Sequence, residues 1–257
     1  MTDVPPSEAQ SFAWPDGERA ALSLTFDDAR QSQLDRGLPI LDAHGVRATF
    51  YVTPENMRPR LDDWRAAVTR GHEIGNHTLT HPCSGNFPWS RHKALEECTL
   101  EQMEEELLGA NRVIEELLGV TPTTFAYPCG ETFVGRGEGV KSYVPLVARS
   151  FLVGRGVYDT RHNDPAFCDL AQVTCCTADG ATFEELKELI DSSAEQGGWL
   201  ILCSHEVGDE GRQTTRADTL EALCRYARDA ASGIWVDTVA TVGSYIQQRR
   251  EGSTEGT

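Results

Sequence analysis

Two histidines four residues apart, His77 and His81, stand in the stretch Gly71-His72-Glu73-Ile74-Gly75-Asn76-His77-Thr78-Leu79-Thr80-His81-Pro82. Upstream, Leu22-Ser23-Leu24-Thr25-Phe26-Asp27-Asp28 ends a short apolar run in two adjacent carboxylates. Two imidazoles at short spacing plus one carboxylate are a three-ligand set for a catalytic divalent metal, with a coordination position left for water. One member of the Asp27-Asp28 pair completes such a set, and the other is then free to act as a base. A further histidine, His205, follows the unbroken apolar run 199–203. Each of these residues also has an ordinary reading, as a solvated turn, a cap or a satisfied core histidine, so their common location decides between the two.

Residues so far apart in sequence need a framework to bring them together. Residues 21–26 read as a strand ending at Asp27-Asp28. Residues 34–44 carry Leu34, Leu38 and Leu41 at helical spacing, stopped by Gly45. Residues 48–52 are β-branched and aromatic, as a strand requires. A short helix over 61–70 closes at Gly71, and 72–77 is the third strand. An irregular loop over 82–93 precedes a helix over 99–118, opened by Thr99 with Gln102 as a capping box and ended by Gly119. Strands over 123–127, 151–154, 170–175, 199–203 and 234–236 alternate with helices over 143–150, 182–196, 215–230 and 239–250. The helix over 182–196 opens on a second capping box, Thr182 with Glu185. Residues 158–169 read as a loop. The glycine-rich loop 130–139 lacks the Lys-Ser/Thr pair of a phosphate loop and takes no nucleotide role.

About eight strands alternating with helices imply a parallel sheet. A length of 257 residues favours one closed or nearly closed (β/α)7–8 barrel over an open doubly wound sheet. Residues 1–18 read as a polar N-terminal arm, 19–250 as the single domain and 251–257 as a polar tail. In α/β barrels the working residues gather at the carboxyl ends of strands. Asp27-Asp28, His77, Pro128-Cys129-Gly130 and Ser204-His205-Glu206 all fall there. His72 sits at the opposite end of its strand and reads as structural; His44, His92 and His162 lie in surface contexts.

A formal net charge of -17 argues against nucleic acid or an anionic membrane as partner. No run approaches the ~18 apolar residues of a membrane span, and the start of the chain has no basic n-region or apolar h-region. Those features lead to the expectation of a soluble cytoplasmic protein. The eight cysteines (Cys83, Cys98, Cys129, Cys168, Cys175, Cys176, Cys203 and Cys224) have neither the spacing of a small disulfide framework nor CxxC pairs, and are expected to be free thiols.

Thr25-Phe26-Asp27-Asp28, His77-Thr78-Leu79-Thr80-His81, Tyr127-Pro128-Cys129-Gly130 and Leu202-Cys203-Ser204-His205, taken in that order, resemble the motifs of polysaccharide deacetylases, the NodB-homology domain of carbohydrate esterase family 4. The resemblance spans roughly residues 20–250. It implies a distorted (β/α) barrel and a divalent metal, with Zn2+ the first expectation. The implied reaction is removal of N- or O-acetyl groups from an acetylated oligo- or polysaccharide. Carried over residue by residue, it assigns Asp28, His77 and His81 to the metal, Asp27 as catalytic base, His205 as catalytic acid and the Cys129 backbone N–H to the oxyanion. Tyr127, Arg149 and Trp89 are expected around the substrate, with Phe87 beside Trp89.

Two departures stand out. The third-motif arginine that braces the base falls, two residues before the proline, on Ala126; Arg149 or Arg155 would replace it from a neighbouring strand. The aspartate that orients the acid histidine has no clean match, and Asp159, Asp164 and Asp169 are the candidates. Two other readings remain: an allantoinase-like amide hydrolase of the same fold, and a non-catalytic sugar-binding domain. The intact Asp28/His77/His81 set argues against the first, and retention of Asp27 and His205 against the second.

Overall fold

The computed structural model describes residues 12–156 and 162–254. Eight strands form its frame: β1 Ala20–Asp27, β2 Thr49–Val52, β3 Glu73–Asn76, β4 Thr124–Ala126, β5 Val153–Arg155, β6 Cys176–Thr177, β7 Trp199–Ser204 and β8 Ile234–Val236. All their pairings are parallel, in the order β5-β4-β3-β2-β1-β7-β6. One further parallel bridge, Arg155 to Val173, closes the ring just ahead of β6. There the Val173 N–H donates to the Gly154 carbonyl at 2.9 Å and the Gly156 N–H donates to the Val173 carbonyl at 2.8 Å.

The eighth strand distorts the barrel. A strand has two edges, and β7 runs along one edge of β1 from Ala21 to Phe26. The other edge is shared: β2 takes Thr25–Asp27 and β8 takes Ala20–Leu22. β8 is thus wedged between β1 and β2 at the base, and the rim that carries the strand ends is seven-stranded.

Among the described residues, seven α-helices of six residues or more pack around the sheet: α1 Leu38–Ala43, α2 Leu61–Thr69, α3 Leu100–Leu118, α4 Val144–Ser150, α5 Phe183–Gln196, α6 Ala217–Ala227 and α7 Val239–Thr254. Both expected capping boxes form, at Thr99/Gln102 and Thr182/Glu185, and both helices end on left-handed glycines, Gly119 and Gly197. Strand alternation sorts the core. Leu22, Leu24, Phe26, Phe50, Val52, Leu200 and Leu202 face the helix layer. Ala21, Val153, Trp199, Ile201 and Cys203 point into the barrel, where Val239, Val242 and Ile246 of α7 close its base. A Cβ on Gly75 would lie 2.5 Å from two ring carbons of the buried Tyr51, so this glycine makes room for a tyrosine inside the barrel.

The structure corrects several boundaries. The expected helix over 34–44 begins as a π-helix, Gln33–Gly37, in which Gln33 is buried. The expected strand over 170–175 is instead a 3₁₀ turn, Leu170–Gln172, because the Asp169 side chain accepts the Ala171 N–H at 2.9 Å and draws the chain round. The strand itself comes later, as β6. The expected polar arm contributes to the core: Trp14 is buried, donates Nε1–H to the Gly197 carbonyl at 3.0 Å, and packs with Phe12 and Tyr245. Residues 1–11 of that arm lie outside the described residues. So do 157–161, which include the start of the expected loop, and 255–257 of the expected tail, while α7 runs on past position 250. Among the described residues no helix is long and apolar enough to cross a membrane.

Candidate active site

Asp27 closes β1, and the chain then turns sharply, with Asp28 at φ 74° and Ala29 at φ 53°. His77 directly follows β3, its N–H held by the Val52 carbonyl at 3.1 Å. His77 Nδ1–H donates to the Ala126 carbonyl at 2.8 Å, which fixes the tautomer and leaves Nε2 with its lone pair. Side-chain bonds shape the loop that follows. Asn76 is anchored to α3 through the Leu107 carbonyl (2.8 Å) and Asn111 (2.6 Å), and its Oδ1 accepts the Thr78 N–H at 2.7 Å. Thr78 Oγ1 in turn accepts the His81 N–H at 2.9 Å. Thr78 and His81 both have left-handed backbone, φ 65° and 56°, which costs about 1–3 kcal/mol per residue and persists only where the surroundings impose it.

The result brings Asp28 Oδ1 to 3.6 Å from Nε2 of both His77 and His81. The three candidate ligand atoms lie within 4.8 Å of one another. Burial, then the neighbouring His77, pushes the His81 imidazole down to about 4, so it is neutral near pH 7, as ligation requires. Burial opposes ionisation of Asp28, but the two imidazoles lower its carboxyl nonetheless. Two imidazole nitrogens and one carboxylate oxygen at these distances fit a divalent metal.

Asp27 lies beside this cluster, buried. Arg155 Nη2 reaches its Oδ1 at 2.5 Å, and the Cys203 thiol approaches Oδ2 at 3.4 Å. Arg155 is itself fully buried, within 3.4 Å of the Cys175 and Cys203 sulfurs and 5.0 Å from the Tyr51 ring centroid. Burial alone would raise the Asp27 carboxyl, but the Arg155 guanidinium, with His77 and His205 nearby, holds it well below the usual carboxylate range. Gln33 ties two strand ends together, donating from Nε2 to the carbonyls of Asp27 (2.6 Å) and His205 (2.8 Å).

His205 is oriented by Asp179, whose Oδ2 lies 2.6 Å from Nδ1 and whose Oδ1 accepts the His205 N–H at 3.1 Å. Burial opposes the charged ring, yet the Asp179 hydrogen bond and the Asp27 and Asp28 charges raise its pKa above the ordinary histidine value. Asp27, Asp28, His77, His81, Cys129 and His205 all face one cavity of about 760 Å³. Trp89 and Phe87 stand at its mouth, partly exposed and stacked 5.7 Å apart, with Trp89 6.0 Å from His81.

Several expected site residues are elsewhere. Tyr127 is a core side chain: its ring packs on Phe125 and Tyr143, and its hydroxyl donates to the Ala171 carbonyl at 2.7 Å. Arg149 lies on α4, with a side chain 67% exposed and 3.7 Å from Glu104, so Arg155 alone of the two candidates reaches Asp27. Asp164 and Asp169 cap the backbone at Ala166 and Ala171, and Asp159 lies outside the described residues. Asp179 takes their expected place by His205. The strand-end rule would have found it in Thr177-Ala178-Asp179-Gly180, had β6 been placed at Cys176–Thr177 rather than earlier. The free-thiol expectation also fails at two positions: Cys83 and Cys129 form a disulfide. Their separation of 46 residues carries no local signal; the bond arises because the loop after β3 and the turn after β4 meet at the rim.

Residues 15–136 match the family model described as polysaccharide deacetylase. The match covers just under half of the chain, from the first strand to past the turn that carries Cys129. The chain is 36% identical over 95 residues to a chitooligosaccharide deacetylase of Sinorhizobium fredii, covering 37% of this chain and 39% of that protein. It is 23% identical over 266 residues to a gellan lyase of a Bacillus species, covering 94% of this chain but 10% of that protein. The chain therefore spans well under half the length of these curated relatives. A crystal structure titled as a putative polysaccharide deacetylase from Mycobacterium smegmatis superposes with a TM-score of 0.67 at 19% identity, over 95% of this chain and 96% of that one. That likeness shows a shared fold across nearly the whole chain, beyond the segment that the family model matches.

Proposed function

We propose that this chain is a member of the polysaccharide deacetylase family and a metal-dependent hydrolase that removes acetyl groups from an acetylated carbohydrate. The observation that carries the reading is one cavity holding Asp28, His77 and His81 within ligand distance of one another, with Asp27 and His205 facing the same space. A divalent ion on those three residues, Zn2+ first among candidates, supplies a Lewis acid that acidifies water and polarises an acyl carbonyl.

The remaining groups divide the proton transfers. Arg155 occupies Oδ1 of Asp27 and keeps the carboxylate ionised; among the described residues Oδ2 faces the weak thiol donor of Cys203 and is the oxygen able to take a proton from attacking water. The turn at Cys129, with its left-handed backbone, offers its N–H to the oxyanion. His205 gives its Nδ1 to Asp179, which leaves Nε2 to protonate the departing group. An amine or alkoxide leaves poorly unprotonated, so an imidazolium held above its ordinary pKa suits an N-acetyl sugar in particular. That class agrees with the chitooligosaccharide deacetylase relative. Trp89 and Phe87 offer an apolar face to a neutral sugar ring, and the net charge of -17 disfavours polyanionic chains.

The Cys83–Cys129 disulfide supports an oxidising compartment as the setting, in place of the cytoplasmic one expected from composition. The test is acetate release from N-acetylated and O-acetylated oligosaccharides. Chelation should abolish it and added zinc restore it, and Asp27→Asn should remove turnover while retaining bound metal. Wild-type turnover in Asp27→Asn would sink the assignment.

A further inference from the structure

The loop that carries His81 offers a second set of donors. A nitrogen of His81 and the sulfurs of Cys83 and Cys129 lie within 4.8 Å of one another. Joined as a disulfide, the two sulfurs are not ligands. Separated, they would be two thiolates beside an imidazole, a soft set that favours zinc or cobalt. With metal–sulfur bonds of about 2.3 Å and metal–nitrogen bonds of about 2.0–2.1 Å, the two sulfurs need only part from their bonded distance to about 3.7 Å, a movement that side-chain rotation supplies once the bond is broken.

Both cysteines are held independently of their covalent bond. The Cys83 N–H donates to Ser90 Oγ at 2.9 Å, and its carbonyl accepts from Ser90 Oγ at 2.9 Å and from the Leu95 N–H at 3.0 Å. The turn around Cys129 is closed by Gly130 N–H to the Tyr127 carbonyl at 2.9 Å and Glu131 N–H to the Pro128 carbonyl at 3.1 Å. Loss of the bond therefore leaves the two thiols facing one another and His81. Cys129 is exposed and lines the cavity, so a small reductant reaches the bond from the substrate side.

We propose that the Cys83–Cys129 bond selects between two overlapping metal sites that share His81. Oxidised, His81 completes the set with Asp28 and His77; reduced, it joins Cys83 and Cys129 in a second site. A neutral imidazole has one lone pair and serves one ion at a time, so filling the second site takes a ligand from the first. The chemistry balances: a thiol reductant opens the bond in two exchange steps, becoming a disulfide itself and leaving two protein thiols. Binding of the ion then releases two protons. The second site rests on its own three residues; its competition with the first rests on the metal reading given above.

Cobalt(II) tests both parts. The protein is divided, one half treated with a phosphine, which takes up the oxygen of water as it reduces the bond, and both halves are desalted and loaded with cobalt. Cys98, Cys168, Cys175, Cys176, Cys203 and Cys224 stand outside the disulfide in either half, so the difference spectrum isolates the pair. The expected result is a thiolate-to-cobalt charge-transfer band in the reduced half alone, with one cobalt per chain in both halves. The band should be absent from Cys83→Ser and from Cys129→Ser, and retained in reduced His77→Ala. Should either serine variant fail to fold, the other and the wild-type comparison still decide. Identical spectra in the two halves would overturn the second site, and two cobalt ions per reduced chain would overturn the sharing of His81. Failure of the untreated protein to bind cobalt at all would overturn the Asp28/His77/His81 reading separately.

Discussion

Arg155→Met removes the guanidinium that braces the candidate base while keeping an unbranched apolar side chain in its place. Arg155 is fully buried and 2.5 Å from a carboxylate whose side chain is 5% exposed. Breaking a buried pair by removing one partner leaves an uncompensated charge and costs about 3–5 kcal/mol. For a chain of this size each kcal/mol moves Tm by about 2–4 °C, so the melt should fall by about 6–20 °C. The pH dependence has a definite sign. In the native protein the Asp27 carboxyl is held well below its ordinary value, so its contribution to stability is present above about pH 4 and is lost as pH falls toward its native pKa. In Arg155→Met burial dominates and Asp27 moves above its ordinary value, so ionising it on raising the pH opposes folding. The stability gap between wild type and variant should therefore narrow from pH 7 to pH 4, measured by urea denaturation of the metal-free proteins. The acid limb of acetate release should move up by about 1–3 pH units, the loss of one adjacent positive charge. Asp27→Asn/Arg155→Met should recover part of the stability and none of the activity. A gap that is the same at both pH values, or a melt within about 1 kcal/mol of wild type, would refute the buried pair as the support of Asp27.

Other substitutions read different parts of the site. His205→Gln should lower kcat by about 10²–10⁴-fold, the usual worth of a general acid. Asp179→Asn, which removes the charge that favours the His205 imidazolium, should move the alkaline limb of the pH–rate profile to lower pH. Gly75→Ala should cost about 1–3 kcal/mol in urea denaturation, because its Cβ would meet the Tyr51 ring at 2.5 Å inside the barrel. Trp89→Ala, at a side chain with 52% exposure, should leave stability within about 0.5 kcal/mol and raise KM for oligosaccharides more than for a monosaccharide.

What could be read from the sequence followed from short-range physics. Trp199–Ser204 was legible because a strand buried on both faces is continuously apolar, and α3 and α5 because their caps and left-handed glycines are local. The metal-type set was legible because His77 and His81 lie in one loop and Asp28 ends a strand. The misses were long-range. Nothing near Cys83 announces Cys129, and nothing near His205 announces Asp179. Trp14 reads as a lone aromatic in a polar arm until Tyr245 and Trp235 are folded against it. The displacement of β6 shows how one local interaction misleads: the cap by Asp169 turns an apolar, strand-like run into a 3₁₀ helix, and the strand-end address shifts with it.

The arginine missing from position 126 shows why its substitute was hard to choose and why Arg155 works. Ala126 and Arg155 are register partners on the adjacent parallel strands β4 and β5, so their side chains leave the same face of the sheet, toward the barrel interior. In the seven-membered rim, β4 is three strands from β1 by way of β3 and β2, and β5 is three strands from β1 by way of β6 and β7. Both positions therefore lie across the barrel from Asp27, and an arginine on either can span the interior to the same carboxylate. Alanine at 126 sends no side chain across the barrel, and the carbonyl of Ala126 is kept for the His77 ring. Arg149, six residues earlier than Arg155, lies on a helix outside the sheet and has no line to the axis. Closed-barrel geometry, rather than proximity in sequence, decides which of two arginines can hold the base.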